Sequence, residues 1–319
     1  MSGFSTNTNQ HLIRSNLWSS QFKDIFEHEL IGTKYVKMLT DFPDGDTFLI
    51  PSIGQAEAYD FEEGQALQYR AMDTGNYTFT INKYKAAATY ISNKYKQDSF
   101  YTNELVSTFV PKHARAIAVA METDILAAGP NGQTTADTNT INGAYHRFIG
   151  SGTNETIAIE DFAKASYALQ MSAVPMTQLT AIVHPSVAYK LGTLTNLVNV
   201  SNNPRWEGIV NTGYMSSDMT FVANVMGFDV YTSQYLKTNT ASETIGGRTA
   251  AAGVNNLFFS AAPEALPIMM GVRQAPTVES KYNMDLQREE YATVARWGTA
   301  LYRPEAQVVV VTDTDQVYA

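Results

Sequence analysis

The longest helical pattern of apolar positions lies between Asp98 and Gly129, DSFYTNELVSTFVPKHARAIAVAMETDILAAG. At about 100° per residue, Val106, Val110, Ala114, Ile117, Met121, Ile125 and Ala128 fall on one face, a core-facing stripe. Glu104, Lys112, Arg115, Glu122 and Thr123 lie away from that stripe. Asp98 or Ser99 can cap the start, and Gly129-Pro130 marks the stop. Pro111 removes a backbone hydrogen bond, so a bend is predicted between Ser107 and Pro111.

Elsewhere the pattern alternates between short helices and strands. Met1 to Arg14 is polar and predicted to be extended or mobile by itself. Trp18, Phe22, Ile25 and Phe26 recur at helical spacing within Leu17 to Ile31, ahead of Gly32, and give an aromatic face that docks on a partner or on its own domain. Thr47 to Ile53 is β-prone, with Pro51 and Gly54 tolerated mainly at a sheet edge. Gln55 to Met72 carries Glu57, Asp60, Glu62 and Glu63 with Gly64, and the chain returns as the alternating strand Tyr77 to Ile81, running through Lys83 and Lys85 towards Tyr90. The reading is a long two-stranded excursion with an acidic tip, supported by its own domain or by a neighbour, because a lone ribbon is marginal in water. Further on, Asn131 to Asn142 is a linker, and Ile159 to Met171 is a helix with Phe162, Tyr167 and Leu169 as buried candidates. Leu179 to His184 is a strand stopped by Pro185, followed by a short helix containing Val187, Tyr189 and Leu191. Phe221 to Tyr231 is a hairpin turning at Met226-Gly227, Lys237 to Gly253 a loop, and Leu257 to Phe259 a buried strand. Thr277 to Met284 and Tyr291 to Thr312 are long β-prone runs, the second broken at Arg303-Pro304-Glu305. Without regular βα repetition, this is α+β.

Composition sharpens the picture. Charged residues are only 17% of the chain while there are 18 tyrosines, the balance by which contact surfaces differ from free surface. A net charge of -9 argues against tight binding of a nucleic-acid backbone. With no cysteine, disulfides, thiolate metal sites and cysteine nucleophiles are excluded. No apolar run approaches a membrane span and no signal-peptide core is seen, so the chain reads as cytoplasmic when made. No Gly-rich phosphate loop, HExxH or GxSxG occurs, and His11, His28, His113, His146 and His184 lack metal-ligand spacing. Catalytic residues, cofactor and metal are therefore all read as none.

The order of parts resembles the major capsid proteins of tailed phages, whose fold is shared with herpesvirus capsids. Gly45-Asp-Thr-Phe-Leu-Ile-Pro51 looks like the strand opening the E-loop, and Thr123-Asp-Ile-Leu-Ala-Ala-Gly129 like the end of the spine helix. Met226-Gly-Phe-Asp-Val-Tyr-Thr-Ser233 is similar to an A-domain hairpin. Trp297-Gly-Thr-Ala-Leu-Tyr-Arg-Pro-Glu-Ala306 looks like the C-terminal P-domain strands, where members often carry a Gly before Arg-Pro. The resemblance implies an N-terminal arm over 1–43, an E-loop over 44–92, a P-domain spine helix over 93–133, mainly A-domain over 134–270, and P-domain strands returning over 271–319. It also implies a capsid protein that assembles into hexamers and pentamers, forming an icosahedral shell around a phage double-stranded DNA genome, in the virion, after assembly in the host cytoplasm. Implied partners are further copies of itself, a scaffolding protein, a portal and a decoration protein, with DNA enclosed but not tightly bound and no membrane. The short stretch before the spine helix favours a separate scaffold, as in short-tailed phages. An encapsulin-like compartment is the alternative reading, and a hydrolase of unknown type a remote one.

Charge distribution suggests how copies meet. Glu57, Asp60, Glu62 and Glu63 at the tip face, in sequence, a run of Lys83, Lys85, Lys94 and Lys96. Together with Trp18 and Phe22 these are the candidate inter-subunit contacts, the acidic tip of one copy lying over the basic surface of the next. Some relatives lock their shells with an isopeptide bond from an E-loop lysine, but between Asp46 and Asn82 the only basic side chain is Arg70, a very poor nucleophile. A noncovalent shell is the expectation.

Overall fold

A computed structural model of the chain describes residues 30–39, 45–54, 56, 58–60, 63–66, 71–72, 74–98, 102–133, 139–194, 221–245, 248–250 and 253–313. The first strands are β1 (Val36–Leu39), β2 (Thr47–Ile53), β3 (Thr74–Thr80) and β4 (Lys83–Ser92), followed by helices α1 (Asn93–Asp98) and α2 (Thr102–Gly132). Short strands β5 (Thr140–Ile141), β6 (Ala144–Tyr145) and β7 (Arg147–Ile149) precede α3 (Ile159–Met171), β8 (Leu179–Val183) and α4 (Pro185–Thr193). The hairpins β9 (Phe221–Val225) with β10 (Phe228–Thr232), and β11 (Glu243–Ile245) with β12 (Arg248–Ala250), come next. Last are β13 (Gly253–Ser260), β14 (Ile268–Asn283), β15 (Arg288–Leu301) and β16 (Gln307–Asp313).

Two sheets carry the structure. The first has the order β1-β14-β15-β4 and is built on the long β14–β15 hairpin, with β1 parallel on one side and β4 antiparallel on the other. The 31-residue α2 lies across it, a rod of about 46 Å at 1.5 Å per residue. Ile117, Ile125 and Ala128 of α2 pack with Val36, Ile268, Met270, Ala295 and Trp297. The second sheet has the order β7-β16-β13-β8-β10-β9. It is covered on both faces, and that explains why Leu257–Phe259 of β13 and the valine run of β16 read as continuous apolar stretches. Phe258, Val308 and Val310 face α3 and α4, whereas Leu257, Phe259, Val309 and Val311 face Ile31 and the α2 residue Leu126. On the α3 side Phe162, Phe228 and Phe258 meet edge to face, with centroids 5.1 to 6.1 Å apart, a geometry that aligns ring edges with ring faces.

Several expectations hold at the level of single elements. β2, α3, β8, α4 and the β9–β10 hairpin lie where the pattern put them. The turn between β9 and β10 has Met226 and Gly227 at φ 49 and 89, the positive pair that a two-residue hairpin loop requires.

Other expectations are corrected. Helix α1 already covers Asn93–Asp98, and α2 passes beyond Gly129-Pro130 to Gly132. Gly129 is not a cap: a Cβ there would collide with the buried Gln307 side chain, so the glycine serves close helix–strand approach. Pro111 lies inside the helix, which continues on both sides of it. Ala114 is exposed although the stripe included it, because His113 is the residue turned to β4, its Nε2 lying 2.6 Å from Thr89 Oγ1. Glu122, read as solvent-facing, is fully buried. Tyr167 and Tyr189 are exposed, whereas Phe162, Leu169, Val187 and Leu191 of the same helices are buried. The loop over 237–253 contains the β11–β12 hairpin.

The two-stranded ribbon is narrower than its pattern. β2 pairs with β3 from Thr47–Thr80 to Ile53–Thr74, but β4 leaves the ribbon and pairs with β15. The last strand, β16, does not continue the long sheet. The 3-10 turn at Pro304–Ala306 redirects it into the six-stranded sheet between β7 and β13.

Candidate assembly surfaces

The β2–β3 hairpin is fixed at its base and open beyond it. Phe48 and Phe79 are buried with Ile81 and Met269, and Tyr77 donates its hydroxyl to the Leu301 carbonyl at 2.8 Å while its ring meets Tyr302 edge-on. Farther out, Leu49 and Ile53 are 67% and 74% exposed, an apolar edge that water covers unless a partner does. Gly298 sets how close the base sits to the sheet: a Cβ there would stand 2.5 Å from the Thr80 carbonyl oxygen and 2.9 Å from Ile81 Cα. This accounts for the glycine in the Trp297–Ala306 stretch, since only glycine admits another backbone at that distance.

Of the sequence-predicted contact residues, Trp18, Phe22, Glu57 and Glu62 lie outside the described residues. Asp60 and Glu63 are exposed at the hairpin tip. Of the lysines, Lys94 and Lys96 are exposed and Lys83 and Lys85 half-buried, and three of the four already face acids of their own chain. Lys85 Nζ is 3.0 Å from Asp124 Oδ2 and Lys83 Nζ is 4.0 Å from Oδ1. Lys96 Nζ is 2.6 Å from Glu289 Oε1, a pair that lowers the glutamate pKa and raises that of the lysine through the shared hydrogen bond. Lys94 is exposed on α1.

Three polar centres were not legible as such. Asp124 joins α2 to β15 and the edge strand β4: besides Lys85 it accepts from Trp297 Nε1 at 3.2 Å, and Lys85 stands over the Trp297 ring at 5.5 Å. Glu122 anchors the incoming chain, its Oε1 accepting from the backbone N–H of Ile31 at 3.0 Å and of Gly32 at 2.7 Å. Burial pushes the Glu122 carboxyl above the usual range, against the lowering effect of the Gly32, Ile31 and Thr33 amides and of Arg115. Arg147 is the third. Fully buried, it donates to Glu243 Oε2 at 2.6 Å, Asn255 Oδ1 at 3.0 Å and the Pro130 carbonyl at 3.3 Å, tying β7, β11, β13 and the end of α2 together. The one sequence signal for it was Asn255-Asn256, two amides inside an otherwise apolar strand, which must find partners if the strand is buried.

No group of His, Asp and Glu among the described residues could hold a metal, and no described helix is long and apolar enough to cross a membrane. What the structure offers instead is a two-sheet body on a long helix, with a projecting hairpin and exposed aromatic side chains. That architecture is the tailed-phage capsid fold. It aligns over 98% of both chains with the capsid structure of the Cyanophage P-SCSP1u at a TM-score of 0.73 and 15% identity. A chain from Mycobacterium phage Che8 matches at 0.68 and 14% identity, covering 94% of this chain and 97% of that one, and the capsid of Ralstonia phage GP4 at 0.66 and 8%, covering 99% of each. No curated protein matches the chain in sequence. The phage capsid protein family matches residues 76–310, and the chain belongs to that family.

Proposed function

We propose that this capsid protein is the major shell subunit of a double-stranded DNA phage, with many copies closing into pentamers and hexamers that tile an icosahedral shell. Family membership across both sheets and the long helix carries the reading. The open hairpin edge, and the tyrosines Tyr84, Tyr90, Tyr95, Tyr145, Tyr167, Tyr189 and Tyr282 on the surface, support it. Large amphipathic rings suit contacts that must form reversibly before they are multiplied around a ring. Assembly draws on a scaffolding protein, a portal and a decoration protein, takes place in the host cytoplasm and leaves the subunit in the virion. Its role is structural rather than enzymatic. The genome is enclosed without tight binding, since a subunit of net charge -9 repels phosphate.

Electron microscopy of the purified protein tests this directly. Closed shells, with DNA inside when isolated from infected cells, are expected. A compact monomer by light scattering at all concentrations and in the presence of scaffold would overturn the reading.

A further inference from the structure

Helix α4 starts at a proline, and the hydrogen bonds of its first turn are completed by a histidine ring. Pro185 has no N–H to satisfy, and the His184 carbonyl already accepts from Val187 N at 2.9 Å and from Ala188 N at 3.3 Å. The Ser186 amide is then the one donor of that turn still in need of an acceptor. His184 supplies it from its side chain, with Nδ1 3.3 Å from Ser186 N and 2.8 Å from Ser186 Oγ. Helices are usually capped here by the oxygen of Ser, Thr, Asp or Asn. An imidazole nitrogen differs from all of these in taking up a proton close to neutral pH. The backbone at the cap is fixed as well: His184 N donates to Asn256 Oδ1 at 3.0 Å, and the fully buried Asn256 donates in turn to the Val310 carbonyl at 3.0 Å and to Thr312 Oγ1 at 2.8 Å.

Nδ1 accepts from the Ser186 amide only while it carries no proton of its own. Once protonated it is a donor. The Ser186 hydroxyl can rotate to accept from it, but the amide cannot, and a positive charge then stands at the positive end of the helix dipole. We propose that His184 is an acid-operated latch on α4, whose protonation uncaps the helix and lets it lift from the second sheet. Release would uncover Val187 and Leu191, which α4 buries in the core shared with α3. Burial alone pushes the imidazole below its ordinary value of 6.5. Among the described residues of the surrounding elements, β8 and β13 carry no ionisable side chain; Asp229 and Tyr231 of β10, Tyr235 and Lys237 after it, and Tyr189 and Lys190 of α4 add nothing to that shift. A value lowered in the folded state means that the latch is closed above 6.5 and opens as pH falls through the lower folded value. The device belongs to the single subunit and does not depend on assembly.

Hydrogen exchange of the α4 amides, corrected for intrinsic rates and followed by mass spectrometry, tests this at about pH 7.5 and about pH 5. Wild type is compared with His184→Asn and His184→Ala. Helix α3 is the internal reference, its first turn being held by Asp161 Oδ2, which accepts from Ala158 N at 2.8 Å. Wild-type α4 should lose about tenfold in protection relative to α3 on acidification, the combined size of a lost cap and an adverse dipole. Asn caps without titrating, so His184→Asn should keep its protection at both pH values, whereas His184→Ala should be weakly protected at both. Wild-type protection that does not change with pH would overturn the proposal. So would a fall in His184→Asn as large as in wild type, because another group would then be titrating. Nitrogen chemical shifts showing Nδ1 protonated at about pH 7.5 would overturn it equally.

Discussion

Replacing Gly298 by alanine adds one methyl group at the point where the hairpin base crosses the long sheet. The new Cβ would lie 2.5 Å from the Thr80 carbonyl oxygen and 2.9 Å from Ile81 Cα, so the approach is about 1 Å short of ordinary contact. Both obstacles are backbone, and neither can rotate away as a side chain would. Their neighbours are also held: Ile81 N donates to the Asp46 carbonyl at 2.8 Å, and Phe79 and Ile81 are buried. The base must therefore move, at the roughly 1–3 kcal/mol typical of overpacking, a sizeable part of the ~5–15 kcal/mol by which domains are stable. The hairpin would be re-aimed as well, so shell yield should fall further than stability alone accounts for. Gly143 supplies the control, because it has open space around its Cβ position and φ of 81. There Asn should be tolerated almost as well as Gly, since it enters the left-handed region readily, whereas Asn at 298 should be worse than Ala. The measurements are urea midpoints of soluble subunits and particle counts by electron microscopy. A Gly298→Ala protein within about 0.5 kcal/mol of wild type, assembling normally, would refute the close-approach argument.

Other substitutions probe other parts of the structure. Glu122 has its carboxyl raised by burial, so its stabilising contribution is full below the ordinary value of 4.5 and declines as pH rises through the higher folded value. Glu122→Gln keeps an acceptor for Ile31 and Gly32 and should flatten that decline, seen as urea midpoints that converge with wild type as pH falls; parallel curves would contradict it. Phe258→Ala removes the ring that contacts both Phe162 and Phe228 and should cost about 3–5 kcal/mol, read by denaturant unfolding. Mature particles boiled in SDS should give a single band near 35.2 kDa, because Lys83 and Lys85 sit in β4 beside Asp124 rather than on the hairpin; a covalent ladder would show that another lysine reaches an acceptor.

Local information accounts for much of what was readable in the sequence. Ile159–Met171, Leu179–Val183 and the Met226-Gly227 turn are decided by periodicity, a following proline and a left-handed pair, all acting within a few residues. The order of such elements, with the Trp297–Ala306 stretch, was enough to resemble a family, because the order survives where individual residues do not. Tertiary structure decided what periodicity cannot encode. Glu122 lies off the apolar stripe of its helix, yet it is buried because the chain at Ile31–Gly32 brings two unpaired amides to that side. β3 and β4 look like one strand in sequence, but hydrogen-bond partners are chosen by what lies alongside, and β15 takes β4. Arg147 carries no signal in the periodicity around it, yet it is the buried tie from β7 to β11, β13 and the end of α2. Sequence patterns report which side of an element avoids water. Which distant backbone needs a carboxylate, or an open guanidinium a partner, is settled only when the layers meet.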